Sequence, residues 1–255
     1  MDNKNQDGLV KFLLTLQNNT MNPDNIPTFY SSFSKQWVFP FVMENVCLYH
    51  CRFNQQHFSD IAYKQHDIKQ PSALYHAAQK RNAEYLIGRL CAREALKNLN
   101  INGYPLSSED KSPQWPLLSC GSITHSHHVA AAIVALKTHW QCLGLDIEFL
   151  ISEQRSKKLL TTIVNQNEQK LIGKDISLFT TLAFSIKESL FKALYPITLK
   201  RFYFEHAEII DWNTSGQVTL KLLIDLSDKW QKGTLITGQY CIKDNYIWSL
   251  IGIDS

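Results

Sequence analysis

The chain has 255 residues, enough for one large domain or two modest ones with a sizeable apolar core. Its 44% hydrophobic and 19% charged residues exclude the low-hydropathy balance of a disordered chain. A net charge of +3, from 26 basic and 23 acidic residues, is too even to carry nucleic-acid binding, and no nucleic-acid partner is expected.

Residues 1–35 are rich in Asn, Gln, Ser and Pro apart from an apolar patch from Val10 to Leu16. They read as a poorly ordered start or a short lead-in helix and are assigned no chemistry. The first ten residues carry polar and acidic groups where a signal peptide needs an apolar core, and the six cysteines lack paired metal spacing. A reduced cytoplasm is the expected compartment, and no apolar run approaches the roughly 20 residues of a membrane-spanning helix. Two strand-like runs follow, 37–43 and 46–53, and the alternation around Cys47 and Cys51 favours core cysteines over metal ligands. Pro71-Ser72 opens a long helix, with Ser72 as N-cap and Gly103 beyond its end.

Three β-like runs, 117–124, 129–136 and 140–148, predict a small sheet. The helical pattern returns over 153–195, where Pro196 is expected to stop it. Strands at 202–211, 217–226, 233–243 and 246–253 close the chain, with a hairpin turn at 213–216. This order predicts an α+β fold in two halves, residues 1–140 and 141–255, meeting near Trp140.

In Gly144-Leu-Asp-Ile-Glu148 the two carboxylates stand one residue apart and share a strand face. Adjacent acids repel unless a cation lies between them, and Mg²⁺, which brings phosphate oxygens with it, meets that need. For Asp-x-Glu alone, a solvated strand edge is the plainer reading. In Phe184-Ser-Ile-Lys-Glu-Ser-Leu-Phe-Lys-Ala-Leu-Tyr195, Ile186, Leu190, Ala193 and Leu194 recur at helical spacing. Glu188 and Lys192 are therefore neighbours at i,i+4, with Lys187 beside the acid; alone they would read as a surface ion pair. Together the two segments offer three carboxylates and two lysines, a set able to hold a metal, bind pyrophosphate and move a proton.

On the long helix Arg81, Tyr85, Arg89 and Arg93 recur every four residues, with Lys80 alongside and Gly88 removing bulk. The stripe suits phosphate, through arginine's planar fork, as well as it suits a solvated face paired with Glu84 and Glu94. Gly121-Ser-Ile-Thr-His-Ser-His-His128 gathers hydroxyls and imidazoles that can donate to an anion, His125 being the best placed imidazole. Zinc is disfavoured there, because no acidic or cysteine partner stands at ligand spacing.

Gly-x-Asp-x-Glu followed by Lys-Glu-x-x-x-Lys resembles the 4′-phosphopantetheinyl transferase family, in its large two-half type associated with siderophore (enterobactin) and other nonribosomal peptide synthetases. The helix 80–96, Pro113-Gln-Trp-Pro116 and the Thr124-His125-Ser126 turn extend the resemblance over roughly residues 75–200. Thr124 stands where serine is usual and Phe184 where tryptophan is common; hydroxyl and aromatic character are kept. The resemblance implies two similar α/β halves, a pseudo-dimer with the active site in the cleft between them.

It also implies coenzyme A as co-substrate, with Asp146, Glu148 and Glu188 holding Mg²⁺ and Asp146 thereby meeting the pyrophosphate. Lys187 and Lys192 would meet phosphate oxygens. Arg81, Arg89, Thr124, His125 and Lys111 would contact the 3′-phosphate or pyrophosphate. The implied reaction is attack by a serine hydroxyl of an apo carrier protein (peptidyl, aryl or acyl) on the β-phosphate, releasing adenosine 3′,5′-bisphosphate. Glu188 would take the serine proton and Lys192 would serve the leaving oxygen, in a monomer that docks carriers on an exposed apolar patch over 153–177. Two rivals are weighed. Another phosphotransferase would need a phosphate-binding glycine loop that the chain lacks, and a non-catalytic coenzyme A or carrier-binding module would be favoured by loss of Asp146 or Glu188, both present.

Overall fold

The computed structural model describes residues 28–255, so the apolar patch from Val10 to Leu16 lies outside the described residues. Two antiparallel sheets carry the architecture, and the fold is α+β. The first orders β1 (Val46–Arg52), β5 (Val129–Leu136) and β4 (Ser119–Ser126) as β1-β5-β4. The second orders β6 (Trp140–Phe149), β10 (Tyr246–Asp254), β9 (Leu235–Lys243), β8 (Gln217–Leu222) and β7 (Ala207–Trp212) as β6-β10-β9-β8-β7. A small ribbon pairs β2 (Leu106–Ser107) with β3 (Pro113–Gln114).

Alternation along the strands decides what each sheet buries. On β5, Ala130 and Ala132 pack under the helix α2 (Gln79–Lys97), which follows the short α1 (Ile61–Gln65). Val129, Ala131, Ile133 and Ala135 face the other way, into a layer shared with Leu143, Leu145 and Ile147 of β6 and Trp248 and Leu250 of β10. The opposite face of the second sheet is covered by α4 (Ile176–Thr198), with α3 (Glu153–Ile163) beside it.

Several sequence expectations shift. Residues 37–43 form no strand, because Pro40 has no N–H to give a ladder; Phe39 is buried in the layer between the sheets instead. Ser72 begins an isolated 3-10 turn and does not cap α2, whose N-cap, Ala78, offers no side-chain bond. Asn82, one turn inside, ties down the approach by donating to the Leu74 and Ala77 carbonyls (3.0 and 3.2 Å). The helix ends at Lys97, well before Gly103, because left-handed Asn100 lets the Ile101 N–H reach back to the Leu96 carbonyl at 3.0 Å.

The helical region expected over 153–195 consists of two helices separated by a connection with a 3-10 turn at Glu168–Leu171. Ser152 caps α3 and Asp175 caps α4, each accepting from a backbone N–H one turn on. Pro196 does not stop α4. In the last turn a proline removes only one helical bond, and the helix closes instead on Leu199 at φ +54°. Residues 202–206 likewise lie before β7, in part as a 3-10 turn at Phe204–His206.

Candidate active site

The β4 and β6 strands are the facing edges of the two sheets, and no backbone ladder joins them. Side-chain hydroxyls join them instead. Ser122 donates to the Leu145 carbonyl (3.4 Å), while Thr124 and Ser126 accept from the Ile147 and Phe149 N–H groups (3.1 and 3.3 Å). Alternation places these three hydroxyls on one side of β4, so an edge that would expose its polar backbone is satisfied at its neighbour. The same hydroxyls reach the acids: Thr124 donates to Asp146 Oδ1 (3.2 Å) and Ser126 to Glu148 Oε2 (3.3 Å).

Asp146 and Glu148 project from the face of β6 that meets α4. Gly144 makes the approach possible, since a Cβ there would collide with the Ser189 carbonyl and come within 2.8 Å of the Ala193 nitrogen. The helix thereby delivers Lys192, whose Nζ lies 2.6 Å from Asp146 Oδ1 and also donates to the Leu145 carbonyl at 3.2 Å. Asp146 is only 3% exposed. It is therefore not the solvated residue that a strand-edge reading implies; its charge is balanced by Lys192 and by donors on both oxygens, Ser185 Oγ at 2.8 Å serving Oδ2.

Glu148 and Glu188 are half-buried and less well served. Burial, with the neighbouring Asp146 charge second, pushes Glu148 up to about 7, and burial raises Glu188 as well. Lys192 opposes both shifts. Among the described residues no three His, Cys, Asp or Glu side chains converge on one metal position. The donor chemistry nonetheless fits a hard dication: three crowded carboxylates, two of them held upward chiefly by burial, with Lys192 as the cation now against them.

Lys187 goes elsewhere. One residue from Glu188 is about 100° around the helix, and its ammonium points into the core, 2.8 Å from Glu168, 2.8 Å from the Ile163 carbonyl and 3.1 Å from the Phe204 carbonyl. Three protons meet three acceptors. Its side chain is 3% exposed, and none of its donors is left for a phosphate oxygen, so the expected phosphate contact is replaced by a structural ion pair. Glu168 is fixed in turn by the Asn165 and Ile209 N–H groups, each at 2.8 Å.

The basic stripe on α2 also divides. Arg81 is largely exposed, and its Nη1 meets His125 Nε2 at 3.2 Å. His125 Nδ1 lies 3.6 Å from Glu84, a buried acid that also neighbours Lys80 and Arg81. Burial, then Lys192 and Arg81, hold His125 down to about 4, so the imidazole is neutral at pH 7. Arg89 is buried over the Tyr85 ring, with Nη2 3.3 Å from Ser107 and an Nε that has no partner. Arg93 turns to the His66 carbonyl at 2.5 Å. A cavity of 240 Å³ opens beside Lys192, lined on one side by Lys111, Trp115 and Ser122 and on the other by Phe191, Tyr195 and Arg201. Asp110, next to left-handed Lys111, accepts from Tyr195 at 2.6 Å and ties the two walls together.

The structure thus brings Thr124, His125, Asp146, Glu148, Glu188 and Lys192 into one neighbourhood, with Arg81 at its margin and Lys111 across the cavity. Sequence reasoning passed over Ser185 and Ser249, and named Glu84 and Ser126 without giving them a place in the site. Ser126 was within reach, because it shares a strand face with Thr124; nothing local marks Ser249.

Two family models match the chain: the 4′-phosphopantetheinyl transferase N-terminal domain over residues 70–135, and the 4′-phosphopantetheinyl transferase superfamily over 142–248. Enterobactin synthase component D of Salmonella typhi is 31% identical over 173 residues, covering 65% of this chain and 71% of that protein. The chain belongs to the 4′-phosphopantetheinyl transferase superfamily. The transferase is also similar to enterobactin synthase component D of Escherichia coli strain K12, at 38% identity over 55% of this chain and 66% of that one. A third relative is the 4′-phosphopantetheinyl transferase Svp of Streptomyces mobaraensis, at 32% identity over 58% and 62%. The chain is accordingly an enzyme that transfers phosphopantetheine to carrier proteins, with coenzyme A as the family's substrate. No helix among the described residues is long and apolar enough to cross a membrane.

Proposed function

We propose that this transferase acts in two halves, residues 1–140 and 141–255, with the reaction at the hydroxyl-joined seam between β4 and β6. The single observation that carries the placement is the convergence there of Asp146, Glu148, Glu188 and Lys192, from two segments about 40 residues apart. Asp146, Glu148 and Glu188 would hold Mg²⁺, which supplies counter-charge to the pyrophosphate of coenzyme A. Everything else falls to the chain's own groups.

Lys192, already paired with an acid and facing the 240 Å³ cavity, would place its ammonium at the phosphate oxygen on which charge grows as the pyrophosphate's anhydride bond to adenosine bisphosphate breaks. Glu188, raised by burial, would take the proton of the attacking serine hydroxyl. Arg81, Thr124 and His125 would position phosphate from the β4 side, and Arg89 and Lys111 would contact it from further along the same half. Neutral His125 could donate one hydrogen bond without adding charge. The carrier would be that of a siderophore or related nonribosomal peptide synthetase, the enzyme a cytoplasmic monomer. An exposed apolar patch over 153–177 gains no support: Leu159 and Leu160 of α3 pack against the core, and none of the exposed large hydrophobic side chains among the described residues falls there.

The test is incubation of the protein with coenzyme A, Mg²⁺ and a panel of apo peptidyl, aryl and acyl carriers, read by intact mass. One phosphopantetheine group should be added to a carrier, and substitution Asp146→Asn, which keeps the buried volume, should stop it. Full transfer by that variant at ordinary Mg²⁺ would overturn the site.

A further inference from the structure

Behind Asp146, on the side away from Lys192, three hydroxyls form a closed array: Ser185 and Ser189 from α4 and Ser249 from β10. None has any solvent exposure. Ser185 Oγ lies 2.8 Å from Asp146 Oδ2 and 2.7 Å from Ser249 Oγ; Ser249 Oγ lies 2.8 Å from Ser189 Oγ. Three hydroxyls have three protons, and counting them fixes the direction of two. A carboxylate accepts only, so the Ser185 proton goes to Asp146. The Ser185–Ser249 contact must then use the Ser249 proton, while the Ser189 proton faces both Ser249 Oγ at 2.8 Å and the Ser249 carbonyl at 3.0 Å. The array is a one-way donor chain from Ser249 to Ser185, backed by Ser189 and ending on a single carboxylate oxygen.

Helix and strand cross here because Ser249 pairs with Asp146 in the β10–β6 register, which puts both side chains on the α4 face of the sheet. A sheet core under a helix would ordinarily be apolar at these positions, and buried hydroxyls are tolerated only when satisfied. Each is satisfied, and the product is directional: Oδ2 is held by Ser185, which leaves Oδ1 turned to Lys192 and Thr124. We infer that Ser185, Ser249 and Ser189 are positioning residues for phosphopantetheine transfer, fixing the plane of the Asp146 carboxylate against the reacting phosphates. This rests on the placement of Asp146 in the site proposed above.

The test compares Ser185→Ala, Ser249→Ala, the double variant and Asp146→Asn, with kcat and KM for coenzyme A normalised to folded protein and with thermal melts. Ser185→Ala should lower kcat about 10-fold, the scale seen when a supporting hydrogen bond behind a reacting group is lost, with KM within about 2-fold. Ser249→Ala, which touches no reacting group, should lower kcat by less, and the double variant should be no worse than Ser185→Ala alone, because Ser249 acts through Ser185. Ser185→Cys, which keeps volume and a weak donor, should recover part of the loss. If Ser185→Ala fails to fold, Ser249→Ala decides by itself. Lowered melting temperatures with kcat unchanged per folded molecule would overturn the inference and leave the serines as packing. Full activity in Asp146→Asn would instead overturn the site itself.

Discussion

Two lysines of one helix, five residues apart, each pair with a carboxylate at short range, yet the two regions differ in kind. Lys187 and Glu168 are 3% and 0% exposed in their side chains, and every proton of the ammonium has a protein acceptor. Lys192 and Asp146 are 27% and 5% exposed, and the lysine borders an open cavity. A saturated buried pair holds the fold around it; a pair with one open side can exchange a partner. The difference teaches that adjacency in a motif does not assign a role, and that the count of unused donors does.

The largest effect should come from the open pair. Asp146→Asn should lower kcat by about 10²–10³-fold, the range for loss of a charged group aimed at a reacting centre, as read in a coenzyme A transfer assay. Lys192→Ala should follow at about 10²-fold in kcat per folded molecule, with a smaller stability loss than a saturated pair would show, because Thr124 and Ser185 still donate to Asp146. The closed pair should invert that pattern. Lys187→Met leaves Glu168 buried without its cation and should cost about 3–5 kcal/mol in urea unfolding, with kcat per folded molecule close to the parent. A kcat loss in Lys187→Met as deep as in Lys192→Ala, at unchanged stability, would break the comparison and return Lys187 to the phosphates.

A smaller effect separates two groups of the seam by pH. Glu148 titrates near 7 in the fold against an ordinary value of 4.5, so between these the folded state keeps a proton the unfolded chain has lost. Its contribution therefore falls as pH rises through that window. His125 is held near 4 against 6.5, so its contribution falls in the opposite direction, as pH drops from 6.5 to 4. Melts of the metal-free protein from pH 4 to 8 should show Glu148→Gln flattening the upper limb and His125→Gln the lower. Added Mg²⁺ should restore stability to the parent above pH 6 and do little for Glu148→Gln. Smallest is Ser126→Ala, which removes the hydrogen bond to Glu148 and the acceptor of the Phe149 N–H and should cost about 1–2 kcal/mol.

Much of the site was legible in one dimension because its spacing rules are local. A strand alternates, so Asp146 and Glu148 had to share a face. A helix turns every 3.6 residues, so Glu188 and Lys192 had to be neighbours, and the same rule already placed Lys187 on a different azimuth. The helix stops were less legible. Pro196 forbids one hydrogen bond and ends nothing when it stands in a last turn, whereas the left-handed Leu199 that does end α4 carries no sequence signal.

By itself the order of residues determined the α+β class, the pairing of the acids, and the family to which the motifs belong, since each depends on period and spacing along the chain. Only tertiary structure decided which partners those groups meet. Glu168, 19 residues before Lys187, takes that lysine out of the site. Thr124 and Ser126 join two sheet edges while holding the acids, and Ser249, about 100 residues from Asp146, stands behind it through strand register and a helix admitted by Gly144. Such contacts join residues far apart in the chain, and no periodicity encodes them; the packing of α4 on β6 does.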